Sequence, residues 1–306
     1  MWLFTWFALS MWSSLHSRLH AAEICHKAVK KSAGLDGWSG KLWKPLPLHF
    51  FDALAEVWNA CLDGAALPAP WKAVRISLIN KDDGGKRPLA IAALAWRICM
   101  AATMKAFTPW IRQWPLPHLC GGTPDKDIHN VHAALFHDLD ISQDGDPTVA
   151  GVKADIRKCF DSVRPALAMA CLRKFGAPEG LLRVVEQFYS SQQRWFSVRG
   201  HFAPQPVSCS MSLLQGCPAS PAFLNALMVV WTKFVKIQCP AIQLALFLDD
   251  RTLWSMGPGG CTSHGDCYFS WLHFGVSALP WQIGVFCFQS IRPRSDGSIS
   301  RCLRTC

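Results

Sequence analysis

The stretch LALFLDDRTLW, residues 244–254, sets two adjacent aspartates in a run that is otherwise mostly apolar. Residues of this kind suit short strands with at least one buried face, where an ionised carboxylate is costly. Asp249 and Asp250 therefore belong at a break between strands. The plain explanation is a hairpin turn, where aspartate is favoured because its side chain bonds to nearby backbone. The other explanation is that the chain holds like charges together for a chemical purpose. Carboxylates elsewhere in the chain decide between the two.

With 306 residues, 50% of them hydrophobic, the chain can bury one large core or two ordinary ones. It carries 31 Lys+Arg against 21 Asp+Glu, a formal net charge of +10. Such a surplus favours a polyanionic partner, nucleic acid or an anionic surface. The 14 cysteines include no C-x-x-C, which argues against a zinc ribbon or a thioredoxin-like pair. Cys261, His264 and Cys267 lack a fourth ligand at a familiar spacing, and the cysteines from Cys25 to Cys239 read as small buried thiols of a reducing compartment. The N-terminal MWLFTWFALSMWSSLHSRLHAAE has no basic leader, and its apolar run is interrupted early. No segment reaches the roughly 18 apolar residues of a spanning helix. An intracellular protein, without membrane association, is expected.

Along the chain, FFDALAEVWNACLDG reads as an amphipathic helix stopped by Gly64. Two β-leaning runs follow, joined by KDDGGK, a hairpin signal with Lys81, Lys86 and Arg87 at its tip and shoulders. Residues 94–111 are expected to be helical, and 112–146 mixed and rich in connections. A strand is predicted over 147–156. The helix RPALAMACLRKFG comes next, with Ser162 as its N-cap and Gly176 as its stop. EGLLRVVEQFYSS reads as helix, WFSVRG and QPVSCSM as strands, and SPAFLNALMVVWTKFVK as a strongly apolar helix. Residues 255–306 contain no Lys and no Glu yet hold five of the cysteines. That shift predicts an atypical tail over 257–306, disordered or out of frame with the domain before it, and residues 1–20 are read as an N-terminal extension.

Three stretches bear on the opening question together: VKADIRKCFDSV (152–163), LLQGCPASPAFLNA (213–226) and LALFLDDRTLW. Neighbouring strands would bring Asp155, at the end of the first, close to Asp249 and Asp250. Three carboxylates held that close repel, and desolvation adds to the cost. Divalent cations relieve it, and Mg²⁺ is typically held by one or two carboxylates plus substrate phosphates. Two such ions can stabilise the attacking and leaving oxygens of a phosphoryl transfer.

The order of these stretches resembles the reverse transcriptases, in their non-LTR retrotransposon and group II intron branch. The resemblance runs over about residues 25–256: KKSAGLDGWSG looks like the branch's N-terminal loop and LINKDDGGKRPLAI like its fingers hairpin. ADIRKCFDSV, QGCPASP and FLDD match the first, second and third palm motifs. The resemblance implies an α+β right-hand polymerase core, with fingers over 21–146 and a palm over 147–256 made of a small antiparallel sheet backed by helices. It implies RNA-directed DNA synthesis, with an RNA template, a DNA primer and dNTPs as partners. Two Mg²⁺ ions, with Mn²⁺ as a substitute, would be the cofactors. Asp155, Asp249 and Asp250 would be the catalytic acids and metal ligands, aided by the backbone carbonyl of Ile156. Phe160 would be the steric gate against a ribose 2′-OH. Lys81, Arg87, Gln215 and Gly216 would contact the incoming nucleotide, and Asp161 would cap the next helix or hold the local turn. Nuclear or cytoplasmic localisation follows from family habit.

The lysine-bearing motif expected after the acid pair and a thumb are not recognisable, so the chain reads as cut off after its third palm motif. The alternatives are a catalytically impaired RNA-binding remnant and, less favoured, an RNA-dependent RNA polymerase. The latter usually has a second aspartate where this chain has Phe160.

Overall fold

In the computed structural model, residues 32–80, 84–143, 147–156, 158–198, 201–258, 283–288 and 303–305 are described. Helix α1 (Leu48–Asp63) buries Phe51, Leu54, Ala55, Trp58 and Cys61, a stripe at helical spacing, and ends at Gly64 as expected. Strands β1 (Ala73–Asn80) and β2 (Lys86–Ala92) form the predicted hairpin, paired from Val74↔Ala92 to Asn80↔Lys86. Helix α2 (Leu94–Ala106) follows, and the N–H of Leu94 is accepted by Asp36 Oδ2 at 3.1 Å. The loop KKSAGLDGWSG thus supplies the cap of a helix distant in sequence.

Helix α3 (Ile128–Gln143) occupies the stretch expected to be mixed connections. Its start carries a reciprocal cap: the N–H of His129 donates to Asp127 Oδ1 at 2.9 Å, and the N–H of Asp127 to Asn130 Oδ1 at 2.8 Å. An acidic residue followed three positions later by a side-chain acceptor is the sequence signal that would have found it. Strand β3 (Pro147–Ile156) has the predicted bounds. Helix α4 (Pro165–Lys174) starts at Pro165 after Arg164, not from a Ser162 cap. Ser162 instead closes a short helical turn, Cys159–Ser162, and proline's fixed φ begins the helix without a side-chain acceptor.

Helix α5 (Glu179–Ser191), strand β4 (Gln193–Val198) and a short β5 (His201–Phe202) come next. The expected QPVSCSM strand is reduced to one bridge, Arg194↔Val207, because the chain turns away to follow the short helical turn before α4. Helix α6 (Ser220–Gln238) and strands β6 (Gln243–Phe247) and β7 (Asp250–Pro258) complete the predicted order. Within the stretch read as an atypical tail, β8 (Ile283–Phe288) runs antiparallel to β3, and β9 (Leu303–Thr305) pairs with β8. Residues 1–31, Lys81 and Cys261, His264 and Cys267 lie outside the described residues.

These elements form two compact units. The first comprises Met1–Trp114 and Phe160–Phe223, with a four-stranded sheet in the order β2-β1-β4-β5. Its core is aromatic: Trp96 stacks on Phe188 at 3.8 Å, and Trp58 meets Trp96 edge-on at 5.7 Å. The second comprises Pro115–Cys159 and Leu224–Cys306, with a wholly antiparallel sheet in the order β6-β7-β3-β8-β9. There Cys120, Val131, Ala245 and Trp254 pack together, and Trp254 Nε1 donates to Asp138 Oδ2 at 2.7 Å, fastening β7 to α3. The fold is therefore mixed α+β with small sheets. Cys61, Cys99, Cys120, Cys159 and Cys217 are buried and not disulfide-bonded, as read from the sequence. Among the described residues no helix is long and apolar enough to cross a membrane.

Candidate active site

The site in the second unit is built by alternation along two strands. On β3, Val152, Ala154 and Ile156 are buried while Lys153 and Asp155 face outward. Strand β7 pairs with β3 through Ala154↔Arg251 and Lys153↔Thr252. One step further along this ladder, Asp155 stands level with Asp250 on the same face. Strands β6 and β7 close through Phe247↔Asp250, leaving Leu248 and Asp249 as a two-residue loop. Leu248 has a positive φ of 57°, at a loop position usually given to glycine. A leucine there is strained, and such strain gathers where a turn must aim a functional side chain.

The turn is braced from outside by a segment that sequence reading missed. The N–H of Leu246 donates to the carbonyl of His118, and that of Cys120 to the carbonyl of Leu246, both at 2.8 Å. A Cβ on Gly121 would lie 2.6 Å from the backbone nitrogen of Leu248, and Asn225 Nδ2 donates to the Gly121 carbonyl at 2.8 Å. Only a residue without a side chain lets this loop lie against the turn. A Gly121→Ala protein is therefore expected to displace the Asp249 turn. Any activity that depends on the Asp249 carboxylate should fall roughly a hundredfold with an unchanged far-UV CD spectrum, since displacement of about 1 Å at a reacting centre has that effect.

The electrostatics follow from the crowding of acids. Asp249 is half-buried, and desolvation pushes its carboxyl above the usual carboxylate range, with repulsion from Asp155 and Asp250 adding to the shift. Its own backbone and Arg251 pull the other way. Asp250 Oδ1 lies 3.6 Å from Lys153 Nζ, an ion pair about half exposed and so modest in strength. Arg251 is buried on the opposite face, its guanidinium 4.9 Å from the Trp231 ring of α6. Its Nε and Nη2 are buried with no hydrogen-bond partner, and burial pushes it down to about 10. Cys159, Asp155 and Asp249 offset part of that shift. The signal for Arg251 lay in strand alternation, which puts it on the Leu253 face.

Among the described residues, no three His, Cys, Asp or Glu side chains are drawn together as a metal cage. The donor chemistry nonetheless suits a hard divalent cation: Asp155 and Asp250 stand level on one sheet face, and Asp249 in the adjoining loop is destabilised by desolvation and by its acidic neighbours. Ile156, at the end of β3, is paired with Ile283 of β8.

The other predicted residues belong to the first unit. The N–H of Leu213 donates to the carbonyl of Phe160 at 2.7 Å, so the Gln215 loop and Phe160 are joined through the backbone. Gly216 has φ 100°, and a Cβ there would lie 3.3 Å from the carbonyl of Ala90 on β2. Arg87 stands on β2 opposite Ile79.

Residues 79–275, more than half of the chain, match the model of the family described as reverse transcriptase (RNA-dependent DNA polymerase). The chain belongs to the reverse transcriptase family. It is also similar to the retrovirus-related Pol polyprotein from type-1 retrotransposable element R2 of Popillia japonica, at 26% identity over 169 residues. That alignment covers 53% of this chain and 23% of the polyprotein, so the chain spans well under two thirds of that relative's length. Reverse transcriptases are nucleotidyltransferases that generally use divalent metal ions, and the acid-bearing hairpin falls inside the matched region.

Proposed function

We propose that this chain is the fingers-and-palm part of a retroelement RNA-directed DNA polymerase, extending a DNA primer on an RNA template. The observation that carries the reading is the ladder register that sets Asp155 level with Asp250, beside Asp249 in its strained hairpin. In this assignment residues 21–146 serve as fingers and 147–256 as palm. The net charge of +10 suits a nucleic-acid partner, whose phosphates attract the basic surface.

Asp155 and Asp249 are the main holders of two divalent cations, Mg²⁺ or Mn²⁺, with Asp250 and the Ile156 carbonyl supporting them. When bound, the ions supply Lewis-acid stabilisation of the attacking 3′-oxygen and the leaving pyrophosphate. The chain's own residues position the reactants. The hairpin holds Asp249 at a set height above the sheet, and Lys153 keeps Asp250 oriented through their ion pair. Arg87 and Lys81 hold the triphosphate, Arg87 by a planar fork suited to phosphate oxygens. Gln215 and Gly216 line the nucleotide pocket, where the bare Gly216 backbone allows close approach. Phe160 stands against the sugar and excludes a 2′-hydroxyl.

The test is primer extension on an RNA template with dNTPs and Mg²⁺ or Mn²⁺. Extension by the parent that disappears in an Asp249→Ala protein is the expected result. Binding of RNA without extension under either metal would favour a non-catalytic remnant. A Phe160→Ala protein should incorporate rNTPs about 10- to 100-fold better relative to dNTPs, the range over which a pocket wall discriminates one small group. Parental discrimination in that variant would remove Phe160 from its assigned role.

A further inference from the structure

Ser212 lies three residues before Gln215 and is left-handed, with φ 87°, although it is not glycine. It is also buried, at 5% exposure, so neither its conformation nor its hydroxyl is explained by solvent. Its N–H donates to the carbonyl of Val163 at 2.7 Å, and the next N–H, of Leu213, to the carbonyl of Phe160 at 2.7 Å. The reversed φ lets two consecutive N–H groups reach two carbonyls of the Phe160–Val163 segment.

Side chains secure the same crossing. Ser212 Oγ lies 3.3 Å from Asp161 Oδ1, and its alternative acceptor is the Leu213 carbonyl, also at 3.3 Å. Arg194, 8% exposed on β4, donates from Nη2 to the carbonyls of Ser212 at 3.1 Å and Met211 at 3.4 Å. Its Nε donates to Gln192 Oε1 at 3.2 Å. A buried guanidinium directed at carbonyls is a demanding arrangement, because each lost acceptor leaves a charged donor unpaired. Beyond the crossing, the Leu214 N–H donates to the Tyr189 hydroxyl at 3.2 Å, and Ser220 Oγ to the Leu214 carbonyl at 2.8 Å. The loop that delivers Gln215 is therefore held on both sides, and its bond to Phe160 is made by Leu213, next to Ser212.

We propose that Ser212, Asp161 and Arg194 form a positioning latch that sets Phe160 relative to the Gln215 loop, and so determines how strictly the pocket rejects ribonucleotides. The inference rests on the polymerase reading above and adds residues to it. Asp161 is then neither a metal ligand nor a helix cap. It is the acceptor that keeps the residue after the gate tied to the nucleotide loop. Arg194 fixes the far side of the same peptide.

The decisive variant is Ser212→Gly, because glycine adopts φ 87° without strain and only the hydroxyl is lost. Its melting temperature should equal or exceed the parent's. Its discrimination, the ratio of kcat/KM for dNTP over rNTP, should fall about tenfold, chiefly through a lower KM for rNTP. Asp161→Ala should reproduce the loss, while Asp161→Asn, which keeps an acceptor oxygen, should restore most of the ratio. Parental discrimination in both Ser212→Gly and Asp161→Ala would overturn the latch. So would equal losses on dNTP and rNTP accompanied by a lower melting temperature, the signature of a merely structural role. A parent that extends no RNA-templated primer would overturn the polymerase reading and the latch with it. An active parent with indifferent variants would overturn the latch alone.

Discussion

An Asp249→Ala protein should lose roughly a hundred- to a thousandfold of RNA-templated primer extension while its metal-free melting temperature holds or rises. The two halves of this result come from one arrangement. Asp249 projects from a two-residue loop, where desolvation and repulsion from Asp155 and Asp250 both disfavour its charge. Removing that charge relieves the folded state, and the Lys153–Asp250 ion pair stays in place. On the proposed polymerase reading, the same removal takes away a carboxylate that would hold the metal ions, and losing one preorganised electrostatic group typically costs about 10²–10³ in rate. Primer extension and a thermal melt in EDTA check the two halves together. A variant that unfolds with its loss of activity would mean that Asp249 is a structural turn residue.

The largest stability effect is expected in the first unit, at Trp58. Its ring is fully buried, edge-on to Trp96 at 5.7 Å and 6.1 Å from Trp71, and its Nε1 donates to Thr103 Oγ1 at 2.9 Å. Trp58→Ala removes a fully buried indole from surroundings that can only partly collapse, and should cost about 3–5 kcal/mol. Trp58→Phe keeps an aromatic ring but loses the hydrogen bond and part of the volume, and should cost about 1–2 kcal/mol. The Thr103 hydroxyl still donates to the Cys99 carbonyl at 2.8 Å, so neither change leaves it without a partner. Urea unfolding followed by tryptophan fluorescence and CD measures both. Equal costs for the two variants would show that the indole N–H, rather than packing, dominates.

Much of the architecture was legible because it is local. The KDDGGK hairpin, the strand ending at Asp155, the apolar helix α6 and the turn at Asp249 follow from period, turn residues and length. Helix α3 was missed although Asp127 and Asn130 spell its cap, because the histidines and aspartates along it blur the apolar stripe. Ser162 misled for a different reason: a good capping residue was outcompeted by Pro165, whose φ is already helical. Strand character in QPVSCSM gave way to the crossing at Ser212, which propensity does not encode.

By itself, the sequence determined which residues are acidic, apolar and turn-forming, and in what order the motifs come. That was enough to identify the hairpin and the family resemblance. Only the tertiary structure decided what surrounds them. Gly121 must be bare because its loop crosses the Asp249 turn, Arg251 is buried against Trp231, and Ser212 ties the residue after Phe160 to the Gln215 loop. The physical reason is the range of the forces involved. Helical period, strand alternation and turn preference act between near neighbours, whereas close approach, desolvation and side-chain hydrogen bonds depend on which distant segments meet.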